Sequence, residues 1–325
     1  MSQSLTVVMY HYVRRIKQSR YQEVKGLELD LFVEQLEFFA RHYNVVTMEQ
    51  VLAAKTQEQA LPEKALLLTF DDGYAEHFTH VYPILKKMNM QGSFYVPAKT
   101  VLEHKVLDVN KVHFILASVG NMNDLVQSLK TEVEIYQNEH DLKQFDEYFN
   151  ELAVADRFDC KEVIFIKRML QHALPEKLRN IIADKLFIKH VGMNEEAFCR
   201  ELYMDKYQLE QLVRDGMHVG CHGYDHYWWN KLDSLSLQQE IEQSKTFLES
   251  IGCDMTKWTA CYPYGSFSDP VVTELLRQGC NAAFTTEVRV ADFSADHPLL
   301  LPRLDTNDLP KDREAKVNHW YTGLA

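Results

Sequence analysis

The sequence lacks the features that mark several classes of protein. None of its six cysteines lies in a C-x-x-C pair, so a structural zinc ribbon or a thioredoxin-type redox motif is not expected. The apolar run at residues 5–10 (LTVVMY) is too short to span a bilayer. Because neither a basic stretch nor a small-residue cleavage site accompanies it, no export signal is predicted.

Basic residues are also comparatively few. Lys and Arg number 35 against 47 Asp and Glu, a formal net charge of −12. This balance argues against broad nucleic-acid binding, for which cations supply the affinity. Since no export signal and no integral membrane segment are visible, we predict a cytoplasmic location with reduced thiols. There is no internal repeat and no low-complexity tract, so repeat architectures are not expected.

The composition is that of an ordinary globular protein. The 325 residues are 46% hydrophobic and 11% aromatic, which suits one large or two ordinary domains. Outside the middle of the chain, strand and helix patterns alternate as in a parallel sheet wrapped by helices. We predict roughly eight strands, enough for a barrel or a large open sheet, at residues 5–12, 44–47, 65–70, 92–96, 217–222, 258–262, 282–286 and 299–304.

The middle of the chain, residues 101–204, has a different pattern. It is rich in Leu, Lys, Glu and Asp at helical spacing, and its single proline is Pro175. We interpret it as helices inserted into an α/β frame formed by residues 1–100 and 205–325; a separate small helical domain is the rival interpretation. Insertions at barrel mouths commonly shape a substrate site or an oligomer contact. We therefore predict a cap or a homodimerisation element.

Two consecutive carboxylates follow one of the predicted strands. The apolar run at 65–70 (ALLLTF) leads directly into Asp71, Asp72 and Gly73. Adjacent buried carboxylates repel each other and lose hydration, so they persist where a cation or a proton compensates them. A simple turn is an equally good explanation of this motif alone, because Asp and Gly are common turn residues.

Two histidines follow a later predicted strand. His222 and His226 are separated by three residues, and on a helical turn both would lie on one face. This spacing suits the binding of one divalent metal, although a chain with fourteen histidines can contain such a pair without a metal. Two His and one Asp leave coordination positions open for water and substrate, as in catalytic metal sites.

A third interruption, CYPYG at residues 261–265, follows the strand predicted at 258–262. It could be only a turn, but it also places aromatic rings and a backbone N–H at the same sheet edge. Aromatic rings at this edge can stack on a sugar face. The neighbouring pair Trp228 and Trp229 could line a sugar groove, and a loop anchor is at least as good an interpretation.

Taken in order, TFDDG at 69–73, the two histidines and YPYG at 262–265 resemble the motifs of the NodB-type polysaccharide deacetylases, carbohydrate esterase family 4. MYHYV at 9–13 and the stretch at 65–74 are most similar to the branch of the poly-N-acetylglucosamine deacetylases. The similarity covers about residues 5–100 and 206–306. It implies an α/β fold, a distorted (β/α)7–8 barrel (NodB homology domain) with a large helical insertion and its chemistry at the carboxyl ends of the strands.

The resemblance also implies roles for individual residues. Asp71 matches the general base of the family, and Tyr264 matches the residue whose backbone N–H helps to hold the oxyanion. Asp72, His222 and His226 match the metal ligands. The implied cofactor is a divalent metal ion, Zn²⁺ in the first place and Co²⁺ or Ni²⁺ as alternatives.

Two positions in these motifs depart from the family pattern. Gly223 stands where the family usually has a Ser or Thr that steadies the histidine loop. Cys261 stands where many members have an Arg that orients the base. We predict that Arg303 replaces this Arg, with Asp305 nearby, and we count both among the catalytic residues.

The usual general acid has no clear counterpart. There is no convincing Leu-x-His motif, and His319 is a poor match. His11, after the first predicted strand, is the better candidate because the related branch has a Tyr-His at this place. A buried and hydrogen-bonded core histidine is the equal alternative.

These observations predict a metal-dependent hydrolase. It would remove an N-acetyl group from an amino sugar in a glycan or glycan precursor, with an activated water and Asp71 as base. The expected partner is the acetylated sugar rather than a highly anionic polymer or a nucleic acid. The alternatives are an O-acetyl esterase or other C–N amide hydrolase with the same machinery, and a non-catalytic sugar-binding barrel.

Overall fold

A computed structural model of the chain describes residues 4–56, 59–155 and 159–322. Strands occupy mainly the first and last thirds of the chain. They are β1 (Ser4–Tyr10), β2 (Val13–Arg14), β3 (Leu27–Glu28), β4 (Asn44–Val45), β5 (Ala65–Asp71), β6 (Gly92–Val96), β7 (His218–Cys221), β8 (Ala260–Cys261), β9 (Ala283–Phe284), β10 (Ala291–Asp292) and β11 (Leu304–Asp305).

Helices separate these strands and fill the middle of the chain. They are α1 (Leu29–His42), α2 (Met48–Lys55), α3 (Tyr82–Lys87), α4 (Ala98–Leu102), α5 (Asp108–Ser118), α6 (Met122–Tyr136), α7 (Phe145–Leu152), α8 (Lys161–Arg168), α9 (Glu176–His190), α10 (Glu195–Leu202), α11 (Lys206–Arg214), α12 (Ser234–Ser250), α13 (Asp269–Arg277) and α14 (His319–Thr322). Among the described residues, none of the helices combines the length and the apolar character that a membrane span requires.

A nine-stranded sheet forms the frame, with the order β10-β1-β5-β6-β7-β8-β9 and with β4 and β11 added beside β5 and β1. The strands from β1 to β9 along this path pair in parallel. The register runs from Leu5 opposite Ala65 to Tyr10 opposite Phe70. Parallel pairing places the carboxyl ends of all these strands at one edge.

The segment at residues 301–305 joins the two sides of the sheet. Leu301 forms a parallel bridge with Phe284 of β9, and Leu304 in β11 pairs with Val8 of β1. The prediction of a distorted α/β barrel is therefore confirmed. The barrel is irregular because β8, β9 and β11 have only two residues each. The longer strands predicted at 258–262, 282–286 and 299–304 are reduced to these short contacts.

Successive residues of the long strands alternate between two apolar cores, as the period of a strand requires. Tyr10 and Phe70 belong to the larger core, where their rings stack with centroids 4.8 Å apart. The smaller core collects residues from strands all around the sheet and fills its interior: Leu5, Val7, Leu67, Tyr95, Cys261, Phe284 and Leu301. Burial on both faces explains why β5 is a continuous apolar run.

The chain forms two compact units. One comprises Met1–Arg15, Gly26–His104 and Arg200–Ala325, and contains the sheet just described; the other comprises Ile16–Lys25 and Lys105–Cys199. The second unit is helical, and the rings of Phe114, Phe187 and Phe198 meet edge to face in its interior. The predicted boundaries, 101 and 204, lie close to these limits, but nothing in the sequence pattern indicates that Ile16–Lys25 joins the helices. A cap or homodimerisation role for the helices stays a prediction.

Candidate active site and metal centre

The polar residues singled out in the sequence follow strands of the same parallel sheet. His11 follows β1, Asp72 follows β5, and His222 follows β7. Tyr264 lies in the turn after β8. Because these strands are parallel, their carboxyl ends meet, and residues far apart in the sequence are brought to one edge of the sheet.

Asp72, His222 and His226 come together as a group that could hold a metal ion. Asp72 Oδ1 lies 3.5 Å from Nε2 of His222 and 3.5 Å from Nε2 of His226. All three side chains are buried. Among the described residues, Asp72 Oδ1 has no hydrogen-bond partner, and an unpaired buried carboxylate oxygen is costly. A cation between these atoms would remove that cost.

The geometry of the three donors fits a divalent transition metal. In a tetrahedral centre with bonds of about 2.0–2.2 Å, ligand atoms lie roughly 3.3–3.6 Å apart, in agreement with the spacing between Asp72 Oδ1 and the two imidazoles. His222 Nδ1 lies 2.9 Å from the carbonyl oxygen of Cys261. Since a carbonyl only accepts, Nδ1 carries the proton and Nε2 presents its lone pair to the site.

The protonation equilibria of His226 and Asp72 favour a metal. Burial, followed by the charge of His222, lowers the pKa of His226 to about 3, so this imidazole is neutral and can donate a lone pair. Burial alone would raise the pKa of Asp72, but the two imidazoles hold it well below its usual range. Burial would lower the pKa of His222, but Asp72 and Asp71 raise it.

The two histidines do not lie on a helix. The residues from His222 to Trp228 form a loop, and His226 reaches the site with a left-handed backbone, φ 60°. The prediction of a shared helical face was wrong, although the imidazoles converge. Asp72 (φ 71°) and Tyr264 (φ 58°) are left-handed as well. Such conformations cost energy in non-glycine residues and cluster at functional sites.

Asp71 is paired with Arg303. Their side chains are buried, with Nη1 donating to Oδ1 at 2.9 Å and Nη2 to Oδ2 at 2.8 Å. Burial alone would raise the pKa of Asp71, but the charge of Arg303 and then of His222 lower it to about 2. Arg303 thus provides the arginine contact to Asp71 that Cys261 cannot provide. Cys261 is a buried side chain whose backbone carbonyl holds His222.

His11 lies at the rim of the same cluster. Its Nε2 is 4.0 Å from Asp71 Oδ2, and its side chain is 43% exposed, so the alternative of a buried core histidine does not apply. The buried imidazole of His77 donates from Nε2 to the backbone carbonyl of His11 at 2.8 Å. Burial lowers the pKa of His77 to about 4, which leaves it neutral at physiological pH.

Tyr264 is part of an aromatic stack beside the metal ligands. Its ring meets the ring of His226 at 4.6 Å and lies parallel to that of Trp228 at 4.5 Å. Trp228 is 37% exposed, whereas Trp229 is fully buried. Trp228 therefore presents its ring at the surface near the site, whereas Trp229 anchors the loop.

Asp305 is not brought into the cluster by any described contact. Its carboxylate caps the short turn that follows β11 and accepts from the backbone N–H of Asn307 at 2.8 Å. It is close to Arg303 in the chain, but its side chain serves local structure. This geometry gives no basis for the predicted catalytic role of Asp305.

Tyr74 is a site residue that the sequence analysis missed. Its hydroxyl donates to Asp72 Oδ2 at 2.5 Å, and its ring stacks on Tyr12 with centroids 4.2 Å apart. Burial and the charge of Asp72 raise the pKa of Tyr74 well above its ordinary value, so it remains a donor. Its position directly after Asp-Asp-Gly was the available signal.

A family model described as polysaccharide deacetylase matches residues 58–147 and 186–283, more than half of the chain. The chain belongs to the polysaccharide deacetylase family. The match extends into the middle segment from both sides, beyond the range inferred from the motifs, so only the centre of that segment lies outside it. The resemblance predicted from the motifs is confirmed.

Two curated relatives of this polysaccharide deacetylase are similar over part of its length. YxkH of Bacillus subtilis (strain 168), which is named after the family, is 29% identical over 97 residues, 30% of this chain and 33% of YxkH. Poly-beta-1,6-N-acetyl-D-glucosamine N-deacetylase of Escherichia coli (strain K12) is 48% identical over 44 residues, 14% of this chain and 6% of that protein. The chain thus aligns with a third or less of these relatives.

The fold is shared with solved deacetylase structures. Streptococcus pyogenes deacetylase PplD, solved in complex with acetate, superposes with a TM-score of 0.57 at 16% identity, covering 94% of this chain and 93% of PplD. At this level of identity the similarity concerns the fold, and it extends over nearly the whole of both chains.

Proposed function

We propose that this polysaccharide deacetylase is a metal-dependent enzyme that removes an N-acetyl group from an amino sugar in a glycan or glycan precursor. The observation that carries the proposal is the unpaired Asp72 Oδ1 facing two imidazoles, directly beside an ionised Asp71. Zn²⁺ suits a donor set of two nitrogens and one carboxylate oxygen, and Co²⁺ or Ni²⁺ suits it as well.

Each group of the cluster has a chemical task in this proposal. Asp71 is ionised because Arg303 stabilises its charge, so it can accept a proton. A divalent cation would polarise the acyl carbonyl and acidify a water, so a base as weak as Asp71 suffices. His11 is exposed and 4.0 Å from Asp71, where it can protonate the leaving amine. The backbone N–H of Tyr264 is proposed to stabilise the oxyanion.

The substrate proposed is a neutral N-acetylated sugar. Poly-beta-1,6-N-acetyl-D-glucosamine is the substrate in the name of one relative, and the chain itself is anionic, with a net charge of −12. The exposed Trp228 ring, stacked on Tyr264, offers an apolar surface on which a sugar ring could lie.

Acetate release from N-acetylated oligosaccharides, β-1,6-linked and β-1,4-linked, tests the proposal. We expect release with Zn²⁺ or Co²⁺, its loss after chelation, and its return when the metal is restored. Release from O-acetylated but not from N-acetylated sugars would instead identify an esterase. Glycan binding without acetate release, with each metal supplied, would identify a sugar-binding barrel and contradict the proposal.

Two further proposals concern location and assembly. The six cysteines, which all lie within the described ranges, are thiols rather than disulfides, and this supports the cytoplasmic location proposed from the sequence. Cell fractionation would test it. Homodimerisation through residues 101–204 is a separate proposal, for which the measurement is the solution mass of the full chain.

A further inference from the structure

The loop between the two histidine ligands is held through its backbone. The carbonyl oxygens of Gly223 and Tyr224 accept from the backbone N–H groups of Ala98 at 3.2 Å and Lys99 at 3.0 Å, in the first turn of α4. These N–H groups have no partner within their own helix. The carbonyl side of the loop is therefore fixed by main chain.

On the N–H side of the loop, Glu240 of α12 binds two consecutive residues. The backbone N–H of Tyr224 donates to Glu240 Oε2 at 2.9 Å. The N–H of Asp225 donates to Oε1 at 3.1 Å and to Oε2 at 3.2 Å. Glu240 is only 6% exposed. Hydrogen bonds to a carboxylate are stronger than those between neutral groups, and a buried acid on a core-facing helix position is otherwise costly.

Gly223 makes room for this carboxylate. A Cβ atom at residue 223 would lie 3.0 Å from Glu240 Oε2, and the backbone there is left-handed, φ 77°. A larger side chain at residue 223 would press on the Glu240 carboxylate and would hold a strained backbone. Residues 223 and 240 are therefore complementary: the side chain that is missing from the loop is replaced by one that comes from α12.

We propose that Glu240 is a positioning residue that fixes the loop between His222 and His226 and thereby sets the affinity of the metal site. The proposal rests on the metal-dependent function proposed above. It goes beyond that function, because it assigns the support of the histidine loop to a residue of α12 that lies outside the sequence motifs.

The test compares Glu240→Ala and Glu240→Gln with the wild-type protein. A matched control is Glu242→Ala, two residues further along α12, where the side chain is about half exposed and pairs with Arg277. Zinc affinity is measured by calorimetry, the absorption spectrum is recorded with Co²⁺, and the melting temperature is measured without metal. Burial and then Asp225 raise the pKa of Glu240 to about 7, so pH 8 keeps it ionised.

Glu240→Ala is expected to weaken zinc binding at least about tenfold, as loss of outer-sphere support of a ligand does, and to change the Co²⁺ spectrum. Glu240→Gln keeps one acceptor oxygen and should lose less. If only the charge of Glu240 mattered, both variants would lose the same affinity, and this result would overturn the proposal. So would a lower melting temperature with unchanged zinc affinity, which identifies a purely structural role.

A measurement on the wild-type protein keeps the proposal testable even if Glu240→Ala does not fold. The amide protons of Tyr224 and Asp225 should exchange slowly with solvent, although they lie in a loop, because Glu240 accepts from both. Fast exchange would contradict the proposal. A wild-type protein that binds neither Zn²⁺ nor Co²⁺ would contradict the proposed function itself, whereas normal wild-type binding with unaffected Glu240 variants contradicts only the role of Glu240.

Discussion

Asp71 and Asp72 are consecutive in the chain, and both side chains are buried, yet their surroundings differ. Both oxygens of Asp71 accept from the guanidinium of Arg303. Asp72 has one oxygen bound by the Tyr74 hydroxyl, while the other faces two imidazoles without a hydrogen bond within the described residues. The carboxylate of Asp71 is neutralised by a side chain of the fold, whereas Asp72 and the two imidazoles present atoms that could hold a cation.

The difference shows how two consecutive carboxylates can have different partners, an arginine for Asp71 and a metal ion for Asp72. A permanent cation that belongs to the fold keeps Asp71 ionised without binding anything from solution. An exchangeable cation suits Asp72, because its Oδ1 and the Nε2 atoms of His222 and His226 can act together as metal ligands. Consecutive residues of a strand end point in different directions, so the two carboxylates do not compete for the same cation.

Removing Asp72 should have the largest effect. Asp72→Ala is expected to abolish zinc binding in calorimetry and acetate release together, because two imidazoles alone hold the ion poorly. The comparison variant is Asp71→Asn, which should bind zinc within a few-fold of wild type but lose turnover by roughly 10²–10⁴-fold, as expected for a missing base. Equal zinc affinities in the two variants would contradict the assignment of Asp72 as metal ligand and Asp71 as base.

Arg303→Met should have the largest effect on stability. It leaves the buried Asp71 charge unpaired, which typically costs about 3–5 kcal/mol, measurable by urea denaturation. Adding Asp71→Asn to this variant should restore part of the loss. Arg289→Met, which breaks ion pairs of a partly exposed arginine with Asp296 and Glu287, is the matched control and should cost less than about 1 kcal/mol.

Tyr74→Phe should weaken the imidazole side alone. Without the hydroxyl, Asp72 Oδ2 loses its donor and the ligand is less well oriented, so zinc affinity should fall roughly 10–100-fold. Tyr10→Phe is the control, because its buried hydroxyl donates to Gln35 at 2.7 Å, away from the cluster. Similar zinc affinities in the two variants would remove Tyr74 from the site.

The smallest effect should appear as a response to acid. The pKa of Asp71 is about 2 in the folded protein, below the ordinary value of 3.8. The resulting stabilisation is therefore present above about pH 4 and lost as the pH falls towards 2, roughly 2 kcal/mol in all. Unfolding free energies of Asp71→Asn should decline less steeply than those of wild type over this interval. Parallel curves would show that Asp71 is not the group responsible.

The sequence was informative where an apolar run predicts a strand and the parallel order of the strands predicts where their ends meet. The apolar run at 65–70 predicted a strand buried on both faces, and β5 is one. Since parallel strands end at one edge, the motifs that follow β5, β7 and β8 could be expected to meet. The short strands β8 and β9 could not be foreseen, because backbone pairing there depends on the closing segment at 301–305 rather than on local propensity.

The supporting residues were not visible in the same way. His226 reaches the site through a left-handed backbone that spacing alone does not reveal. Glu240 occupies a core-facing position of α12, between the buried Leu237 and Ile241, and this misplaced acid was the only signal available. Its partners are backbone N–H groups, which leave no trace in a sequence. His77 is similar, because it binds the carbonyl of His11.

The order of the chain gives the closing segment a consequence for folding. Arg303 lies 232 residues after Asp71, and residues 301–305 also connect β9 with β1. Until this segment docks, Asp71 cannot be buried without an unpaired charge, so the carboxylate opposes closure of the sheet around it. Contacts of such long sequence separation form slowly. We therefore expect docking of residues 301–305 to be a late step of folding, which pairs Asp71 with Arg303 and completes the site at the same time.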